Sequence, residues 1–178
     1  VVKVEPVGAG SALVNNAFVV YDEWTGQLAA NEPLPFAAVA ESFWFFDRWE
    51  ANHHVGLPNP KDAAVNFTIQ QPDTIIAYFV QEPFAMYIPN AFTPNNDGKN
   101  DFFLPLGSAF DAETYELLIF NRWGEVVFRS NDPNEAWLGE HAQGDYYVKD
   151  EIYLYRLSVK PVHSAEHQEF SGHIMVFR

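Results

Sequence analysis

Tyr115-Glu116-Leu117-Leu118-Ile119-Phe120-Asn121 is the stretch on which the fold class turns. Tyr115, Leu117 and Ile119 fall on one side of an extended chain and form a continuous apolar face. Glu116, Leu118 and Phe120 give the opposite side a mixed character, as expected for a core strand of period two. A helix of this composition would need the i, i+3, i+4, i+7 stripe to continue beyond the run, and it does not.

Working outward, Ile152-Tyr153-Leu154-Tyr155-Arg156-Leu157-Ser158-Val159 repeats the pattern of a continuous apolar face opposite a mixed one. In Ala64-Val65-Asn66-Phe67-Thr68-Ile69, the apolar Val65, Phe67 and Ile69 share a face, and Thr74 to Phe79 reads as a buried strand. Ala109 to Thr114 is the single segment for which a helical turn is expected. Breakers recur at short intervals: Gly8-Ala9-Gly10, Asn31 to Pro35, Pro58-Asn59-Pro60, Pro94 to Gly98, Asp132-Pro133-Asn134 and Gly144-Asp145. Short strands at such spacing predict an all-β chain of sandwich or barrel type. Pro83 cannot donate to a central ladder, so the Gln81-Glu82-Pro83 segment suits a junction between two small β domains, 1–83 and 84–178.

Composition narrows the function classes. Ten Lys and Arg face 24 Asp and Glu, a formal charge of −14 that disfavours nucleic acid and anionic lipid, both of which require a basic face. The chain has no Cys, which removes disulfides, thiolate chemistry and Cys-ligated zinc together. No apolar run approaches the ~18 residues of a membrane helix. The N-terminus lacks a basic segment followed by an apolar core, and a chain starting at Val1 in β-rich sequence is expected to be a fragment of a longer protein.

Chemistry-bearing motifs are sparse. No nucleophile elbow, His-Glu-x-x-His helix or phosphate loop is present, so an enzyme is not expected. His163 and His167 stand four apart, but Pro161 and polar neighbours suggest a loop between strands. Ile88-Pro89-Asn90-Ala91-Phe92-Thr93-Pro94-Asn95-Asn96-Asp97-Gly98-Lys99-Asn100-Asp101-Phe102-Phe103 is an extended approach, a polar loop and an aromatic anchor. Asn95, Asp97 and Asp101 alternate around Gly98 as calcium ligands would. However, Thr93 and Leu104 occupy the first and last positions of such a loop, and a self-bonded Asx turn is the favoured alternative. Asn121-Arg122-Trp123-Gly124 reads as a hairpin corner: Trp123 covering the sandwich end, Arg122 stacking on a ring or pairing with a carboxylate, Gly124 allowing the turn. Trp24, Trp44 and Trp49 belong to the core or, in the competing reading, to a sugar-binding platform on a surface adhesin. Asp73-Thr74-Ile75 fits a bacterial O-glycosylation pattern at Thr74.

Taken in order, Ile88 to Phe103, Tyr115 to Ser130, Trp137-Leu138-Gly139, Glu151 to Val159 and Gly172 to Arg178 resemble the gliding-motility-associated C-terminal domain, the type B sorting domain of the type IX secretion system of Bacteroidota. The resemblance covers about Ala85 to Arg178. It implies an immunoglobulin-like antiparallel sandwich that sends a large surface protein to the cell surface. The implied partners are the type IX outer-membrane translocon and a PorP-type outer-membrane β-barrel. The sorting motif it implies comprises Pro89, Asn90, Phe92, Thr93, Pro94, Asn95, Asp97, Gly98, Asn100, Asp101, Asn121, Arg122, Trp123, Gly124, Trp137, Gly139, Tyr153, Tyr155, Gly172 and Arg178. Gly172 to Arg178 is expected to offer an exposed edge for strand addition. Three positions depart from the pattern: Asn96 and Glu151 stand where Gly is usual, and Leu138 interrupts a Trp-Asp-Gly. The first half, about Val4 to Phe79, resembles divergent internalin-B-type repeats, which implies a spacer module.

Overall fold

A computed structural model of the chain describes residues 1–53, 59–140 and 148–177, and every regular element among them is a strand. The all-β expectation is borne out. The chain divides into two compact units, Val1–Glu82 and Pro83–Arg178.

The first unit holds β1 (Val2–Glu5), β2 (Gly10–Val14), β3 (Phe18–Val20), β4 (Glu23–Trp24), β5 (Pro33–Ala40), β6 (Trp44–Ala51), β7 (Ala64–Thr68) and β8 (Ile75–Gln81). Two four-stranded sheets result, ordered β4-β1-β8-β6 and β3-β2-β5-β7. β1 and β8 run parallel, and the remaining pairs are antiparallel. Alternation is strict where burial is deepest. In β8, Ile75, Ala77 and Phe79 are buried while Ile76 and Tyr78 are half-buried, so this strand has one core face rather than two. Trp49, 1% exposed, meets Phe36 and Phe67 edge-on at the centre of this core.

The second unit holds β9 (Ala85–Tyr87), β10 (Ala91–Phe92), β11 (Leu106–Ser108), β12 (Phe110–Phe120), β13 (Val126–Ser130), β14 (Ile152–Pro161) and β15 (Gln168–Val176). Five strands form a sheet ordered β10-β15-β14-β12-β13, and β9 and β11 pair separately. Its inner face presents Tyr115, Leu117, Ile119, Tyr153, Leu157, Ile174 and Val176, all at most 1% exposed. Met86, Ile88, Phe103 and Trp137 pack on it as a thinner second layer. Each fully buried Leu, Ile or Phe contributes ~1.5–3 kcal/mol relative to exposure, so this face dominates the unit's stability.

One local expectation is overturned. Ala109 to Thr114 forms no helical turn, because Phe110–Thr114 is the first half of β12. Its pairing with β14 is interrupted between Asp111 and Glu116. Across that irregularity the Asp111 carboxylate accepts the Glu113 amide at 3.1 Å, and the Thr114 hydroxyl donates to the Asp111 carbonyl at 2.7 Å. Local side-chain bonds of this kind mimic helical chemistry in the sequence while the backbone stays extended. The expected turn at Gly144-Asp145, and Pro58 of the Pro58-Asn59-Pro60 turn, lie outside the described residues.

Candidate functional site

The sorting motif implied by the sequence falls on four structures of the second unit. The first is the polar loop after β10. Asp101 closes it: one carboxylate oxygen accepts the Asn96 amide and the other the Gly98 amide, both at 2.7 Å. The Asn95 side chain accepts the Asp97 amide at 3.1 Å, and Asp97 accepts the Lys99 amide at 2.9 Å. The Thr93 amide donates to the Asn100 carbonyl at 2.7 Å, which ties the loop's two ends together. Oxygens of Asn95, Asp97 and Asp101 are thus directed at the loop's own backbone, the geometry of a chain of Asx turns. Asn96, standing where the resembled pattern has Gly, takes φ +61°, a conformation Asn tolerates better than most residues. Asn95, Asp97, Gly98 and Asn100 are exposed, whereas Thr93, Pro94 and Asp101 are half-buried.

The second structure joins this segment to β15. β10 lies parallel to the end of β15, with Ala91 beside Met175 and Phe92 beside Val176. The Met175 amide donates to the Asn90 carbonyl at 2.9 Å, and the Phe177 amide to the Phe92 carbonyl at 3.2 Å. Pro89 is half-buried and Phe92 buried behind this pairing. Gly172 to Arg178 is therefore not an open edge throughout, because Met175–Phe177 is covered by the β10 segment. On the side away from β14, no strand among the described residues pairs with Gln168–Ile174. Arg178 lies outside the described residues.

Asn121-Arg122-Trp123-Gly124 forms the β12–β13 corner. Asn121, 7% exposed, is its pin: the side-chain oxygen accepts the Trp123 and Glu125 amides at 3.0 Å, and its NH2 donates to Glu125 at 2.7 Å. Gly124 supplies φ +81° for the turn. Trp123 does not cover the sandwich end. It is 67% exposed, and the Arg122 guanidinium lies 4.4 Å from its ring centroid. Arg122 also stands 3.6 Å from Glu151, the second residue occupying a position where the resembled pattern has Gly. A buried Asn already satisfies the corner's backbone, which leaves Trp123 free to face solvent.

The fourth structure is the Trp137 hub. Its ring meets Phe92 and Tyr153 at 5.3 Å between centroids, and the indole N–H donates to the Glu140 carbonyl at 2.8 Å. Trp137 and Phe103 exchange both backbone hydrogen bonds at 2.9 Å, and Gly139 accepts the Val148 amide. Tyr153 is buried, and its hydroxyl donates to the Lys149 carbonyl at 3.0 Å. Tyr155 lies over Gly172. Leu138, 46% exposed, points away from the core that its neighbour anchors.

Elsewhere, Thr74 is half-buried just ahead of β8, and its amide donates to the Asp73 carboxylate at 2.7 Å. Trp24 and Trp44 are half-buried and Trp49 is fully buried, so the three tryptophans do not form a common platform. Arg122 both stacks on a ring and pairs with a carboxylate, the two alternatives the sequence offered; that the carboxylate is Glu151 was not foreseen, because a departure from a pattern reads as a loss until its partner is located.

No helix among the described residues is long and apolar enough to cross a membrane. Neither a curated protein nor a solved structure matches the chain. A family model does match: the CHU_C type IX secretion signal domain, over residues 86–176, which spans all four structures above. The chain belongs to the CHU_C type IX secretion signal domain family, and its second unit is a sorting signal for that secretion system.

Proposed function

We propose that the second unit is an address read in its folded state by the type IX outer-membrane translocon, with a PorP-type β-barrel as co-receptor, and that it carries a large surface protein to the cell exterior. In this reading it performs no chemistry, and the first unit is a spacer between cargo and signal. The supporting observation is the parallel pairing of β10 with β15: segments more than eighty positions apart become one surface only after folding. A linear tag would need no such closure.

Export of a reporter tests this. The whole chain fused behind a periplasmic reporter, in a host with this secretion system, is expected to bring the reporter to the surface or medium. Removing Ser171 to Arg178 deletes the partner of β10 and two-thirds of β15, and should retain the reporter in the periplasm. Undiminished export of that truncated fusion would overturn the reading.

A further inference from the structure

On the outward face of the five-stranded sheet, Val126, Ile152 and Leu154 remain exposed among the described residues and form an apolar band. Val126, Phe120, Leu154 and His173 stand side by side in register across β13, β12, β14 and β15. Ile152, two positions from Leu154 on the same face, continues the band toward Met175. Val126, Leu154 and Ile152 are 39%, 52% and 50% exposed. Single exposed apolar residues are ordinary, but a contiguous band on a flat sheet marks an interaction surface.

Beside the band runs a second row, Arg129, Leu118, Arg156 and Ser171. Arg129 is held by Glu116 at 2.8 Å. Arg156 is exposed and has no ion pair among the described residues. In a chain of net charge −14, where carboxylates outnumber cations more than twofold, an unpaired guanidinium beside Leu118 and Leu154 is an unused binding feature.

We propose that this face is where a protein component of the secretion machinery docks, through apolar side chains set beside a carboxylate that takes Arg156. The proposal rests on the sorting role above. Charge selects the occupant. A second copy using the same face would bring like charges together about its two-fold axis, and an anionic bilayer would meet the field of a strongly acidic chain. An apolar protein surface bearing a single carboxylate pairs with Arg156 directly and does not present the charge density of an anionic bilayer to the acidic chain.

Export of the whole-chain reporter fusion supplies the test. Arg156→Glu and Leu154→Glu each place a negative charge on the outward face without entering the core. Each is expected to lower export about tenfold, the loss of one charge-assisted or buried apolar contact, while the purified chain melts within a few degrees of the parent. Arg156→Lys should retain part of the export, and Lys61→Glu, the same charge change in the first unit, should leave it intact. If the parent is exported and Arg156→Glu and Leu154→Glu match it, the face is not the docking surface and the sorting role stands. If the parent itself is not exported, both fall. Binding of the purified chain to phosphatidylglycerol vesicles that Arg156→Glu abolishes would assign the face to lipid and overturn the proposal.

Discussion

Tyr155 and Gly172 are cross-strand partners between β14 and β15, and a Cβ on Gly172 would lie 2.7 Å from the Tyr155 hydroxyl oxygen. The ring occupies the space that any other residue would fill. Gly172 is therefore a packing requirement of the tyrosine, rather than a break in the strand.

Gly172→Ala should displace that ring and lower stability by ~1 kcal/mol, the cost of modest overpacking. In a Tyr155→Ala background the same substitution should cost nothing or stabilise. A double-mutant cycle by urea denaturation reads the coupling, and additive effects would show that the two residues do not share the space.

Tyr115 is 1% exposed, and its hydroxyl has no hydrogen-bond partner among the described residues. Tyr115→Phe removes an unsatisfied buried polar atom and should stabilise the unit by ~1 kcal/mol at neutral pH. Burial, the larger cause, with the Asp132 charge second, also holds this phenol well above its ordinary value of 10.0. Its folded pKa being raised, the group's contribution is complete below pH ~10 and falls as pH rises further, because only the unfolded chain releases the proton. Thermal melts between neutral pH and pH 11 should therefore fall less steeply for the Phe variant than for the parent.

Asn121→Ala empties the β12–β13 corner of one donor and one twice-used acceptor in a nearly buried position. The expected loss is ~2 kcal/mol, measured by denaturant unfolding, since the Trp123 and Glu125 amides lose their partner. Asn121→Asp keeps the acceptor but sets a carboxylate against Glu125, and should also destabilise at neutral pH.

Asp101→Asn should lower the melting temperature by a few degrees, because a charged acceptor for two amides becomes a neutral one. With the loop's oxygens turned onto its own backbone, millimolar calcium is expected to leave the parent's melting temperature unchanged. A rise on calcium addition that Asp101→Asn abolishes would instead assign an ion to Asn95, Asp97 and Asp101.

The β class was legible because period-two patterning survives in Tyr115–Asn121 and Ile152–Val159, where one face is buried. Ala109–Thr114 misled because Asp111 and Thr114 make local bonds in either conformation, and only pairing with β14 decides between them. Trp123 misled for a related reason: an aromatic residue after a core strand reads as a lid, yet Asn121 had already closed the corner. The parallel β10–β15 pairing could not be read at all. Two residues carry no periodicity, and their partner lies more than eighty positions away. The Gly172–Tyr155 relationship was equally hidden, since a glycine in a strand does not announce which ring lies over it.

The β10–β15 pairing also bears on when the address can exist. β14 gains its outer neighbour, and β10 its one strand partner among the described residues, from residues 168–177, the part of the unit synthesised last. A polypeptide interrupted upstream leaves an unfinished sheet, and with it nothing for a shape-reading receptor to grasp. If the folded unit is the address, as proposed, a prematurely ended product carries none, and sorting would double as an inspection of translation.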